Sequence, residues 1–164
     1  MPVILNCLDK ENTVQIGGNH FTFKPRQLKY FHDKNLAGAI DRLKREDGFI
    51  SVPDSLEHLA LMKEDQAAKV ITDEDKAIID ERRKEGINTY CKRLRELVYN
   101  ATVSVQKDID RAGYKYDARI EANRSDLTRL EELAHYQAGN LDQDQKLVDK
   151  FKELEKKVAK TAKG

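Results

Sequence analysis

The positions Cys91, Leu94, Val98, Ala101, Val105, Ile109, Ala112, Tyr116, Ile120, Asn123, Leu127, Leu130, Ala134, Gln137 and Leu141 succeed one another in steps of three and four. That spacing keeps side chains on one stripe of an α-helix. The intervening residues are mostly Lys, Arg, Glu, Asp, Asn and Gln. The pattern predicts one long helix, or two helices in line, whose apolar face needs a cover from this chain or from copies of it. The expected helix-packing interface is Leu94, Val98, Ala101, Val105, Ile109, Ala112, Tyr116, Ile120, Leu127 and Leu130.

The composition suits such a shape. Of 164 residues, 39% are hydrophobic and 36% charged, which fits an extended helical protein with much surface per residue. The periodic placement of the apolar residues argues against disorder. The net charge is +1, which gives no global attraction to nucleic acid or to a membrane. No stretch approaches the roughly 20 apolar residues that a membrane helix needs. Met1-Pro2-Val3-Ile4-Leu5-Asn6 lacks the features of a signal peptide.

Residues before the stripe read as a small α+β unit. Val3 to Leu8 is a short β-prone arm, and Thr13–Ile16 with His20–Phe23 forms a hairpin around Gly17-Gly18-Asn19. Pro25 suits the first turn of a helix, and residues 27–32 are expected as a short helical segment. Asp33 starts a clearer helix with Leu36, Ala37, Ile40 and Leu43 on one face, and Gly48 closes it. Phe49 to Val52 is a strand stopped by Pro53, and Asp54 or Ser55 caps the next helix. Residues 63–76 form a polar junction, and Thr72-Asp73-Glu74-Asp75 opens the long helix. Gly86 and Gly113 mark a bend or a close crossing. Gly139-Asn140 ends the helical segment, and a capping box at residues 140–143 opens a last helix through Leu147, Phe151 and Val158.

The expected fold is therefore α+β and predominantly α. A hairpin-and-helix docking unit over 1–65 precedes a helical segment over 72–139 and a C-terminal helix over 140–161, the helices forming a bundle or coiled coil.

Motifs for chemistry are missing from the pattern. His20, His32, His58 and His135 have no ligand spacing with one another or with a cysteine, so neither metal nor cofactor is expected. Cys7 and Cys91 are expected as buried, reduced thiols of a cytosolic protein. Ser55, Ser104 and Ser125 lack a nucleophile elbow. Charge is the better clue. Lys24, Arg26, Lys29, Arg42, Lys44 and Arg45 make a basic stretch, and residues 46–81 are acidic. Opposite blocks can pair within the chain or between copies. Phe21, Phe23, Tyr30 and Phe31 interleave with the cations, as a base-stacking surface would require. The favoured reading makes these aromatics a small core with lysines snorkelling from it.

Residues 14–25, Val-Gln-Ile-Gly-Gly-Asn-His-Phe-Thr-Phe-Lys-Pro, with residues 47–53, Asp-Gly-Phe-Ile-Ser-Val-Pro, precede a long charged helix. In style this first third resembles small virion structural proteins of tailed bacteriophages. The resemblance implies arms and helices that clip onto capsid, neck or tail neighbours, in a virion assembled in the host cytoplasm. It assigns a role to no single residue. The expectation is a non-enzymatic, multimeric assembly protein whose partners are other structural proteins or its own copies, with no membrane partner. The alternative is a nucleic-acid-binding accessory protein using the basic residues of 24–45 and the Lys-rich C-terminus.

Overall fold

A computed structural model describes residues 2–112, 117–133 and 141–163, with side chains over 2–111, 117–133 and 143–158. The fold class is as expected, with small antiparallel sheets near the N-terminus followed by long helices. Two compact units, Met1–Tyr90 and Cys91–Gly164, divide the chain inside the long helix rather than at the polar junction.

In the first unit, strand β1 (Val3–Asn6) pairs antiparallel with both β4 (Leu28–Tyr30) and β5 (Phe49–Val52). Residues 2–8 are all buried, which explains why the strand is apolar rather than alternating: both of its faces are covered. Side chains alternate across it. Ile4 joins Val14, Phe23, Phe31, Ala37, Ile40 and Phe49 in one core. This core lies under the hairpin of β2 (Asn12–Ile16) and β3 (Asn19–Phe23) and under helix α1 (Lys34–Leu43). Phe23 sits 5.0 Å from Phe49 and 6.2 Å from Phe31, centroid to centroid. Phe23 and Phe31 are therefore core, as favoured, with Phe21 packed against them, whereas Tyr30 is half-buried beside His32. Gly17 and Gly18 turn the hairpin with φ of 55° and 84°, the pair of positive values a two-residue type I′ turn demands.

Local signals hold at several ends. Asp33 caps α1, its Oδ1 accepting from Asn35 N at 2.9 Å and Leu36 N at 3.3 Å. Gly48, with φ of 94°, ends a 3-10 turn over Arg45–Asp47 and leads into β5. Asp41 on α1 accepts from Ser51 N at 2.9 Å and pairs with Arg45 at 3.1 Å, so a helix side chain closes the outer edge of β5. Thr72 Oγ1 accepts from Asp75 N at 3.1 Å, as the expected cap requires.

Four expectations fail here. Residues 27–32 are not helical, since Leu28–Tyr30 is β4. Pro25 is not a helix start but the second residue of a β-turn, closed by Gln27 N donating to Lys24 O at 3.1 Å. Six residues make a marginal helix, and the open edge of β1 offers a full ladder of hydrogen bonds instead. Neither Asp54 nor Ser55 caps a helix by its side chain; a 3-10 turn over Asp54–Leu56 leads into α2 (Glu57–Leu61). The polar junction holds a helix of its own, α3 (Glu64–Val70), with no buried residue.

On the other side of the sheet lies α4 (Asp73–Ala112), a helix of 40 residues. Gly86 makes the expected close crossing. A Cβ there would stand 2.4 Å from Cys7 Sγ and 3.5 Å from Ile50 Cγ2. One turn earlier, the buried Arg83 donates from Nε to Cys7 O at 3.0 Å and pairs with Asp9 at 3.1 Å. Ile87 is fully buried beside them.

In the second unit the stripe does not continue in line. Helix α5 (Ala118–Leu133) starts at Asp117, whose Oδ1 accepts from Arg119 N at 2.7 Å. Arg119 also reaches Ser104 Oγ at 2.6 Å and Asp108 Oδ2 at 2.5 Å. Residues 104 and 119 of one continuous helix would be about 22 Å apart along the axis. Helices α4 and α5 therefore fold back on each other rather than continuing in line. Helix α6 (Leu141–Lys163) adds a third layer. Leu94, Val98, Val105, Ile120, Leu127 and Leu130 are buried together with Leu147, Val148, Phe151, Leu154 and Val158, so this chain covers much of its own stripe. Ala101 and Ile109 are half-buried, and Asn123 is an edge residue donating to Arg119 O at 2.8 Å. The side chains of Ala112 and Tyr116, and the expected signals at Gly113, Ala134, Gln137 and residues 139–142, lie outside the described residues.

An ion pair crosses this bundle, Arg95 Nε to Asp144 Oδ1 at 2.5 Å. Arg95 Nη2 and Asp144 Oδ2 are buried without hydrogen-bond partners. Removing one member of such a pair strands a buried charge, whereas replacing both by apolar groups does not.

Two outcomes follow for denaturant midpoints. Gly86→Ala should destabilise by about 1–3 kcal/mol through overpacking, against about 1 kcal/mol gained in helix propensity. It should cost less in a Cys7→Ala background, and equal costs in the two backgrounds would refute the crossing. Asp144→Ala should cost about 3–5 kcal/mol, while Arg95→Met with Asp144→Leu should match or exceed the parent chain.

Candidate protein-docking surface

The first unit carries a recess of about 290 Å³ between the β3–β4 turn, α2, α3 and the start of α4. Its apolar wall is Leu28, Leu59, Met62, Ile71 and Ile79, with Ala67 and Ala68 of α3 leaving the space open. The short helices that line it also expose large apolar side chains. Leu61 is 64% exposed, Val70 49% and Met62 40%. Short helices place them there: α2 spends its inward positions on Leu59, and α3 has no inward position at all. The sequence held a signal for this patch, since Met62, Val70 and Ile71 interrupt an otherwise polar junction.

The rim is charged and already paired. Lys24 meets Glu64 at 3.4 Å, Arg26 pairs with Asp9, and His58 stands 3.7 Å from Asp75. Arg26 holds φ of 56° at the third turn position, where glycine is the unstrained residue. Its backbone N–H donates to Leu8 O at 3.0 Å.

The predicted basic stretch does not form one cationic surface. Lys24 and Arg26 are paired as above. Lys29 Nζ donates to Thr22 O at 3.0 Å and lies 5.0 Å above the Phe23 ring centroid. Lys44 faces Asp47 at 4.0 Å. Arg45 is held by Asp41 and, at 3.3 Å, by Glu85. Burial pushes the Asp41 carboxyl up, but the Arg45 guanidinium and the Ser51 N–H together hold it below its ordinary value. Arg42 is exposed. Acidic neighbours within the chain thus answer five of the six cations or, for Lys29, a carbonyl and a ring do so.

Among the described residues, no group of three or more His, Cys, Asp or Glu side chains is placed to hold a metal ion. His20, His32 and His58 are exposed, and His135 lies outside the described residues. Cys7 and Cys91 are free and buried. Burial raises the Cys7 thiol from 9.0 to about 12 against the pull of Arg83, and the Cys91 thiol from 9.0 to about 11 against the pull of Arg95. Both stay protonated near neutrality, which makes them poor nucleophiles. No described helix is long and apolar enough to cross a membrane.

No protein-family model matches the chain, and neither a curated protein nor a solved structure matches it.

The thiols give a measurable consequence. A group whose proton is held more tightly in the folded state favours folding until the unfolded thiol ionises. Stability from these groups should be flat below pH 9.0 and fall between there and about 11 to 12. The native chain at pH 8 should resist an aromatic disulfide reagent and release two equivalents after denaturation. Rapid native labelling would contradict the burial.

Proposed function

We propose that this chain is a non-enzymatic structural protein that joins a larger assembly, and that its first unit docks there through the recess and its apolar surround. The exposed Met62 in the wall of the recess, with Leu61 and Val70 exposed on the two short helices that line it, carries this reading. Exposed apolar surface rimmed by polar groups is a mark of interaction sites. Leu43, Leu97 and Tyr99 are also exposed, and none of the three lines this recess. The partners are other structural proteins or further copies of the chain. In its specific form the assembly is a tailed-phage virion, built in the host cytoplasm; that form rests on the resemblance of residues 14–25 and 47–53. The nucleic-acid alternative is weaker over residues 24–45, because five of the six cations there are engaged within the chain; for its other half, the Lys-rich C-terminus, DNA binding is the test.

The test is solution mass by light scattering over a rising concentration series, run beside capture from particle-assembly mixtures. The parent chain should form oligomers or enter particles. The double variant Leu61→Glu/Val70→Glu should do neither while keeping its circular dichroism, since both side chains are exposed. A parent chain that stays monomeric and enters no particle would overturn the reading. So would salt-sensitive binding to duplex DNA, whose slope would report phosphate contacts.

A further inference from the structure

The second unit has an interaction surface of a different kind. Helices α4 and α6 enclose a groove of about 400 Å³. Its floor is Val103, Leu147 and Leu154, and Tyr99 stands beside it, 56% exposed. Tyr99, Val103 and Gln106 follow one another along α4 by four and three residues, a second stripe next to the one that builds the bundle core. Lys107 and Lys150 line the margin as cations, with Glu153 and Lys157 also at the groove.

We propose that this groove takes an amphipathic helix with acidic flanks, supplied by a partner protein. Shape and charge each narrow the occupant. Two helices side by side present ridges into which a further helix packs, its apolar face downward. The apolar floor does not suit a phosphate backbone. The lysine margin calls for carboxylates, and it opposes a second copy of the same groove, because a two-fold contact would set lysines against lysines. This inference is independent of the recess in the first unit.

The probe is a capped, fluorescent peptide of about 20 residues, long enough to be helical, with leucines at heptad positions and glutamates beside them. Its controls are the same peptide with lysines for the glutamates, and a scrambled acidic peptide. Anisotropy on the full chain should show binding of the acidic helix alone, weakening as salt rises. Tyr99→Glu and Lys150→Glu, both at exposed positions, should each weaken it by about tenfold, in the range of other charge-pair disruptions. The Leu61→Glu/Val70→Glu variant should bind the peptide normally, which separates this site from the surface of the first unit. Equal binding of the scrambled or lysine peptide, no binding at all, or insensitivity to both groove variants would overturn the proposal. Loss of self-association in Tyr99→Glu would overturn it in favour of a second copy as occupant.

Discussion

Burial of β1 on both faces is the constraint on which the first unit depends. A strand with Val3, Ile4 and Leu5 at 0% exposure must be covered twice. One cover is the aromatic core beneath the hairpin and α1; on the other side α4 comes against Cys7, just past the strand, and Ile50 of β5. The second cover requires a helix backbone to come close to the sheet, and Gly86 makes that possible by leaving room for the Cys7 sulfur. A side chain at that position would push α4 away from the strand and open the interface along Ile50 and Ile87.

Such burial is tolerable only if the polar groups carried inward find partners. Asn6 is fully buried, and its side chain bonds Lys10 O and Lys24 O at 3.0 Å and Leu8 N at 3.1 Å. It ties the exit of β1 to the exit of the hairpin. Arg83 does the same for α4, capping the Cys7 carbonyl and holding Asp9. In the second unit the Arg119 cluster fixes the reversal into α5, whereas Arg95 and Asp144 leave one buried atom each unanswered. The two units thus meet the same requirement with unequal completeness.

These choices bear on function through what they leave outside. The first unit spends its inward positions on the sheet, so the short helices α2 and α3 turn Leu61, Met62 and Val70 to solvent. The second unit covers its main stripe with α5 and α6, and a secondary stripe through Tyr99 and Val103 stays open beside α6. Both surfaces suit protein partners, and they differ in charge. The first has a rim of paired ions and the second a rim rich in lysine.

Patterns spanning a few residues were legible in the sequence. The hairpin glycines, the Asp33 and Thr72 caps, the Gly48 stop, the strand before Pro53 and the long α4 all follow from local backbone chemistry. The apolar periodicity also named most of the second unit's core. What periodicity does not carry is direction: a stripe keeps its phase whether a helix runs on or folds back, so the folding back of α5 on α4 had to come from tertiary contacts. Leu28–Tyr30 became a strand because β1 had an edge to fill, a fact about residues more than twenty positions away. The basic stretch lost its meaning as a patch for the same reason, since Asp9, Asp41, Glu64 and Glu85 are brought to it by folding. Sequence alone determined the hairpin, α1 and the long α4 with the Asp33 and Thr72 caps, because those features arise within a turn or two of chain. The tertiary structure decided which apolar faces and which charges remain exposed, because exposure is what is left after distant segments have packed.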